Sequence, residues 1–256
     1  MARHLRSLAR QLGGVARPST YYLPWITRPG LDCTLVLSNV EARFRPDLNQ
    51  GPFPVSVVQY DADGRAAQRY QVTLQDSTDT VEVPLAHAPG GCGFATVAGE
   101  RLHSDLYVTL SDGHDYTATH GRHEFIEAYP LPARVLLGAG GAAAAVVGRT
   151  LPIFRRNQYV YLGRESRSHV LLMNLSNVTN RIRVAANVGD RRVGSTLLRL
   201  PPMGSRLLDV ASLGPMPAAG VVSWRLELEG NAWFNLYLVG AGSRDLAGPL
   251  SLMHVK

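Results

Sequence analysis

Leu37-Ser38-Asn39-Val40 recurs letter for letter as Leu175-Ser176-Asn177-Val178. Each copy closes an apolar run, Cys33-Thr34-Leu35-Val36 in the first half and Val170-Leu171-Leu172-Met173-Asn174 in the second. The segments beyond the motif keep one order in both halves. A second strand-like run leads to an acidic-glycine turn, another run, a proline-marked stretch and an aromatic strand. A repeat unit of about a hundred residues is a whole domain, not one turn of a solenoid. The reading is an all-β chain of two tandem antiparallel β-sandwiches related by internal duplication. The first spans 20–130 and the second 153–256, with a leader over 1–19 and an apolar Gly/Ala-rich linker over 131–152.

Strand periodicity supports this. The first half predicts strands over 31–39, 55–60, 69–74, 80–83, 93–98, 106–110 and 123–128. The second predicts them over 159–162, 169–175, 181–188, 195–200, 206–210, 221–227, 233–239 and 250–255. Asp61-Ala62-Asp63-Gly64 reads as a hairpin turn, and Gly189-Asp190 takes its place in the second half. Arg45 to Pro52 reads as a surface loop, rich in turn residues and without periodicity. Arg181-Ile182-Arg183-Val184 alternates polar with apolar, as a strand with one wet face should. Short strands punctuated by turns point to sandwiches, and the two halves are expected to pack side by side about a pseudo-twofold axis.

At 256 residues the chain is long enough for two cores. Its 45% hydrophobic and 18% charged residues describe a globular protein rather than a disordered one. Net charge is +6, from an arginine-rich, lysine-poor composition spread along the chain. No basic run is interleaved with aromatics, so there is no specific nucleic-acid signal. Cys33 and Cys92 belong to no CxxC pair, which excludes zinc-ribbon and thioredoxin readings. Before residue 13, Leu5, Leu8, Ala9 and Leu12 fall at helical spacing between Arg3, Arg6 and Arg10. This reads as a short basic amphipathic helix, or a disordered leader, and residues 1–12 are a candidate contact with an anionic membrane surface. The linker reads as a helix over 142–147 or as a strand entering the second domain. With neither a secretory signal nor a membrane-spanning run, the expected location is cytoplasmic or peripheral to a membrane.

Ser168-His169-Val170-Leu171-Leu172-Met173-Asn174 resembles the opening strand of the small all-β sensory rhodopsin transducer family. The run 182–188, Asp190, the run 197–200, Pro201-Pro202 and the run 206–209 continue the resemblance over most of one repeat. The first repeat matches it without the histidine, and family members are single-domain. The resemblance implies a β-sandwich with oligomeric, ligand- or partner-binding behaviour, and it brings no catalytic residue.

Five of the eight histidines, His87, His103, His114, His120 and His123, lie late in the first half. Imidazole and carboxylate together suit zinc, or iron with an open position, so His114, His120 and His123 are the candidate metal ligands. No fixed-spacing metal motif accompanies them. Asp105, Asp112 and Glu124 are the acids available for a paired-carboxylate site, with nothing to set their spacing. No nucleophile elbow, P-loop or dinucleotide fingerprint is present. Exposed aromatics bind rings by stacking, and the same side chains serve as core anchors. Trp25, Tyr107 and Arg122 are the candidate ligand-binding residues. The functional expectation is a non-enzymatic, self-associating interaction or ligand-binding module, such as a signalling adaptor with a protein partner. The alternative is a metal-dependent oxygenase or hydrolase using 112–124.

Overall fold

The computed structural model describes residues 19–40, 44, 51–76, 79–85, 91–100, 102, 106–163, 167–216, 220–242, 246 and 250–254. The leader helix, His87, His103, Asp105 and most of the 45–52 loop lie outside these residues.

The first half contributes β1 (Ser19–Ile26), β2 (Asp32–Ser38), β3 (Phe53–Tyr60), β4 (Ala66–Leu74), β5 (Thr80–Pro84), β6 (Cys92–Ala98), β7 (Tyr107–Ser111), β8 (Tyr116–His120) and β9 (Arg122–Phe125). Helix α1 (Leu131–Val146) comes next. The second half contributes β10 (Phe154–Gly163), β11 (Arg167–Asn174), β12 (Asn180–Val188), β13 (Arg191–Leu200), β14 (Ser205–Asp209), β15 (Val221–Gly230), β16 (Phe234–Ala241) and β17 (Ser251–His254). The all-β expectation holds. Two strands, β1 and β8, are not evident from sequence. The helix is longer than the expected 142–147.

Among the described residues, four antiparallel sheets form. Sheet I is β5-β2-β7-β8, sheet II is β4-β3-β6-β1-β9, sheet III is β14-β11-β16-β17 and sheet IV is β10-β15-β12-β13. Matching β10 to β1, β11 to β2 and so on in order, sheet IV repeats the β4-β3-β6-β1 order of sheet II. Sheet III repeats that of sheet I. The irregularities in register also correspond, falling after Gln59 in β3 and after Ala186 in β12. Among the described residues, the first half alone adds a ninth strand, β9, beside β1.

The halves stack face to face rather than side by side. Sheets II and III are the inner layers, and I and IV the outer ones. One continuous core joins Leu35, Leu37, Val57 and Val108 of sheets I and II to Leu171, Met173 and Tyr237 of sheet III. A second core fills the space between III and IV around Val170, Leu172, Trp224 and Phe234. Residues 169–174 of β11 are therefore buried throughout, because alternate side chains enter different cores. The unbroken apolar run Val170–Met173 is the sequence signature of a strand covered on both faces.

The seam is locked by a turn. Gly64 of the β3–β4 hairpin has φ +77° and sits against the 201–204 turn of the second half. A Cβ there would lie 1.9 Å from the carbonyl oxygen of Pro202. The Ser205 amide donates to the Ala62 carbonyl at 3.0 Å. The repeated motif serves the seam too. The Asn177 side chain accepts from the Tyr129 amide at 2.9 Å and donates to its carbonyl at 3.0 Å, pinning the chain that leads into α1.

One buried group is out of keeping with its surroundings. Gln59 is fully buried, and neither its amide oxygen nor its amide nitrogen has a protein partner. Ala186 occupies the corresponding place in β12. Gln59→Met should raise the free energy of unfolding by about 1 kcal/mol or more, since two unpaired polar atoms leave the core; a fall in the urea midpoint would contradict this. Gly64→Ala should lower it by about 2 kcal/mol or more, through a steric clash and an unfavourable φ. Chemical denaturation followed by tryptophan fluorescence reads both.

Candidate functional site

The histidine-rich segment folds into β8, β9 and the turn that precedes β8. Asp112 organises the turn between β7 and β8: its Oδ1 accepts from the amides of His114 at 3.1 Å and Asp115 at 2.8 Å. Its Oδ2 accepts from Arg28 at 3.2 Å. The backbone amides of Asp115 and His114 hold the Asp112 carboxyl below the usual range. Asp112 is thus a turn-capping residue. His114 is exposed in this turn, and His120 lies at the far end of β8. His123 is exposed on β9 with its ring stacked on Tyr21, centroids 4.7 Å apart. Among the described residues, no three His, Cys, Asp or Glu side chains are grouped to hold a metal.

The ligand-binding candidates separate. Trp25 is 1% exposed and its Nε1 donates to the Tyr60 carbonyl at 2.9 Å. It covers Gly93, its partner across β1 and β6, where a Cβ would strike the indole. Trp25 is therefore a core residue and cannot stack on a ligand. Pro24 disguises β1 as a non-strand, and that conceals the burial of its neighbour. Tyr107 is exposed on the outer face of sheet I, opposite His120. Arg122 is half-buried and forms an ion pair with Glu124 on the same face of β9.

That ion pair belongs to a buried polar cluster with no signature in the sequence. Arg122 and Glu124 point from sheet II toward sheet III. There Asn235 Nδ2 donates to Glu124 Oε2 at 3.0 Å, and the Tyr22 hydroxyl donates to the same oxygen at 3.4 Å. Tyr22 and Asn235 also contact each other directly. The Tyr237 ring meets Tyr22 edge-on, and its hydroxyl donates to the His120 carbonyl at 3.3 Å. Arg156 of β10 donates to the Phe234 carbonyl at 3.3 Å and lies 5.1 Å over the Trp233 ring. Burial, reinforced by the Glu124 charge, raises the Tyr22 hydroxyl far above its ordinary value. Burial also raises Tyr237 and lowers Arg156. With its carboxylate already shared among Arg122, Tyr22 and Asn235, the cluster has the character of a satisfied network that fixes how the halves dock.

Two other features are open to partners. A cleft of about 540 Å³ lies at one end of sheet II, with Phe53, Val97 and Leu102 as apolar lining and Gln71, Glu100 and His123 as polar groups. The stacked Tyr21–His123 pair forms part of its wall. The second feature is the edge of sheet IV. Among the described residues β10 pairs with β15 alone, whereas its counterpart β1 pairs with both β6 and β9. Tyr159 and Tyr161 stand exposed along this ten-residue edge. Their carbonyls accept from the Gln158 side chain at 2.9 Å and the Ser168 hydroxyl at 2.8 Å.

Both thiols are free, with Cys33 buried and Cys92 partly so. Burial pushes the Cys33 thiol from 9.0 up to about 12 and raises Cys92 as well. A raised folded-state value contributes stability that is whole below the unfolded value and lost as pH climbs toward the folded one. The denaturation midpoint should therefore hold up to pH 9.0 and fall progressively toward about 12; Tyr22 and Tyr237 act in the same direction. A midpoint unchanged over that window would contradict the burial of these groups.

The chain matches no known protein family, and no curated protein matches it.

Proposed function

We propose that the chain is a non-enzymatic interaction module that self-associates, with the β10 edge as its contact. The observation that carries this is the difference between equivalent edges. In the first half β9 covers β1; in the second the same edge is long and tyrosine-bearing. Unpaired edges of this kind template pairing with another chain. In a twofold antiparallel pairing centred on Gln158, Arg155 comes opposite Tyr161 of the second copy and Phe154 opposite its Leu162. No like charges face each other. An arginine against a tyrosine ring and an apolar cross-strand pair are both favourable partners.

The shared strand order of the halves supports their origin by duplication, with the edge lacking a second strand partner, among the described residues, in one of them. The resemblance to sensory rhodopsin transducers points the same way, toward an oligomeric adaptor that binds a partner protein. Small-ligand binding would use the cleft beside Tyr21 and His123 rather than Trp25. Metal-dependent chemistry through His114, His120 and His123 has less support, because Asp112 is engaged with backbone amides and the three imidazoles sit in the β7–β8 turn, at the far end of β8 and on β9.

Sedimentation velocity tests the reading. The wild-type chain should sediment as a dimer. The pair Asn157→Lys and Tyr159→Lys, which opposes lysines across the twofold, should give a monomer with an unchanged melting temperature. A wild-type monomer at the highest attainable concentration, or a variant that still dimerises, would overturn it.

A further inference from the structure

Helix α1 is unusual for a helix on a protein surface. Ala133, Leu137 and Gly141 form its buried side, against a small core with Tyr129, Ile153 and Val178. Gly141 is needed there, since a Cβ would lie 2.8 Å from the Asn231 side chain. A solvent-facing side of such a helix is ordinarily charged. Here it is apolar. Leu131 is 69% exposed, Val135 60% and Val146 87%, with Ala139 and Ala143 exposed between them. These positions recur about every four residues and so form one stripe along the helix. The sole charged residue in the helix is Arg134, Arg149 lies just past its end, and no acidic residue occurs between Glu127 and Glu165.

The stripe adjoins a cationic surface. Leu131, Val135 and Arg134 share a cleft of about 340 Å³ with Arg181 at the start of β12. From Arg181 the outer face of sheet IV carries Arg183, Arg155, Arg199, Arg192 and Arg225. The only carboxylates in the ion pairs of this face, among the described residues, are Glu229, shared by Arg155 and Arg183, and Glu227, shared by Arg192 and Arg225. Each glutamate thus leaves one positive charge over. Arg181 lies directly opposite Arg199 in the sheet, and neither has an ion pair among the described residues. Like charges facing across strands are unfavourable unless an anion offsets them.

From this juxtaposition we infer that α1 and the arginine face of sheet IV form a docking surface for an anionic phospholipid bilayer. The stripe enters the interface between headgroups and acyl chains. Arg134, Arg149 and Arg181 meet phosphates at its borders, and the sheet arginines contribute long-range attraction. No described helix is long and apolar enough to cross a membrane, so α1 lies in the plane of the surface. An anionic bilayer matches both halves of the surface, apolar and cationic. A second copy would bring arginines against arginines.

Flotation of the full chain with phosphatidylcholine vesicles, and with vesicles carrying phosphatidylglycerol, tests this. Binding is expected to the anionic vesicles, weakened by salt, and to be about tenfold weaker in Val135→Asp/Val146→Asp and in Arg134→Glu/Arg149→Glu. Leu5→Asp/Leu8→Asp in the leader should bind as wild type. Equal binding to neutral vesicles, binding unaffected by either α1 pair, or binding abolished by the leader pair alone would each overturn the inference. So would loss of self-association, rather than of vesicle binding, in Val135→Asp/Val146→Asp, which would give the stripe to a second copy. The substituted positions in and just after α1 are exposed, and unchanged melting temperatures confirm that the comparisons concern the surface.

Discussion

Burial of both faces of the inner sheets is the constraint on which the rest of this structure depends. In β11, Val170 and Leu172 enter one core while Leu171 and Met173 enter the other. In sheet II, Tyr22, Ile26 and Phe94 face the second half while Leu23 and Val57 face sheet I. Each fully buried Leu or Phe contributes about 1.5–3 kcal/mol relative to exposure. Separation of the halves would therefore sacrifice several such contributions at once. The two sandwiches are best regarded as one four-layered body.

That body has few places for polar groups inside, and those it has are tied down. Asn174 donates to the carbonyls of Val178 and Pro201, and its own oxygen accepts from Ser176. Asn180 binds the backbone of the β15–β16 turn, donating to the Ala232 carbonyl and accepting from the Asn231 amide, and the Asn231 side chain accepts in return from the Arg181 amide of β12. The Glu124 cluster does the same between the layers. Such networks specify one arrangement of packed surfaces, because any other leaves a buried group without a partner. Gln59 is the clearest exception, with both amide atoms unpartnered, and Ser205 Oγ and Trp233 Nε1 also lack a protein partner; the place of Gln59 in the core has no structural explanation.

Much of the fold is legible in the sequence, and the reasons for the failures are physical. The repeated Leu-Ser-Asn-Val motif and the strand periodicity locate most strands. β1 is obscured by Pro24, a residue that argues against a central strand. It is tolerated because β9 pairs only with Ser19 to Tyr22, so β1 is an edge at Pro24. β8 is hidden among histidines that suggest ligands. α1 looks shorter in sequence than it is because Gly138, Gly140 and Gly141 are poor helix formers, yet packing against Asn231 requires one of them. The site is less legible than the fold. The Glu124 cluster joins residues from β1, β9, β10 and β16, and pairwise proximity between distant strands leaves no local pattern.

The placement of β1 in an inner layer has a consequence for biosynthesis. The chain emerges from its amino end, so sheet II is complete at Phe125, well before β11, beginning at Arg167, and β16, beginning at Phe234, supply the cover of its far face. During that interval Tyr22, Ile26 and Phe94 border on water. A nascent first half is thus a natural client for a chaperone, and the time at risk is set by how quickly translation reaches β11 and β16.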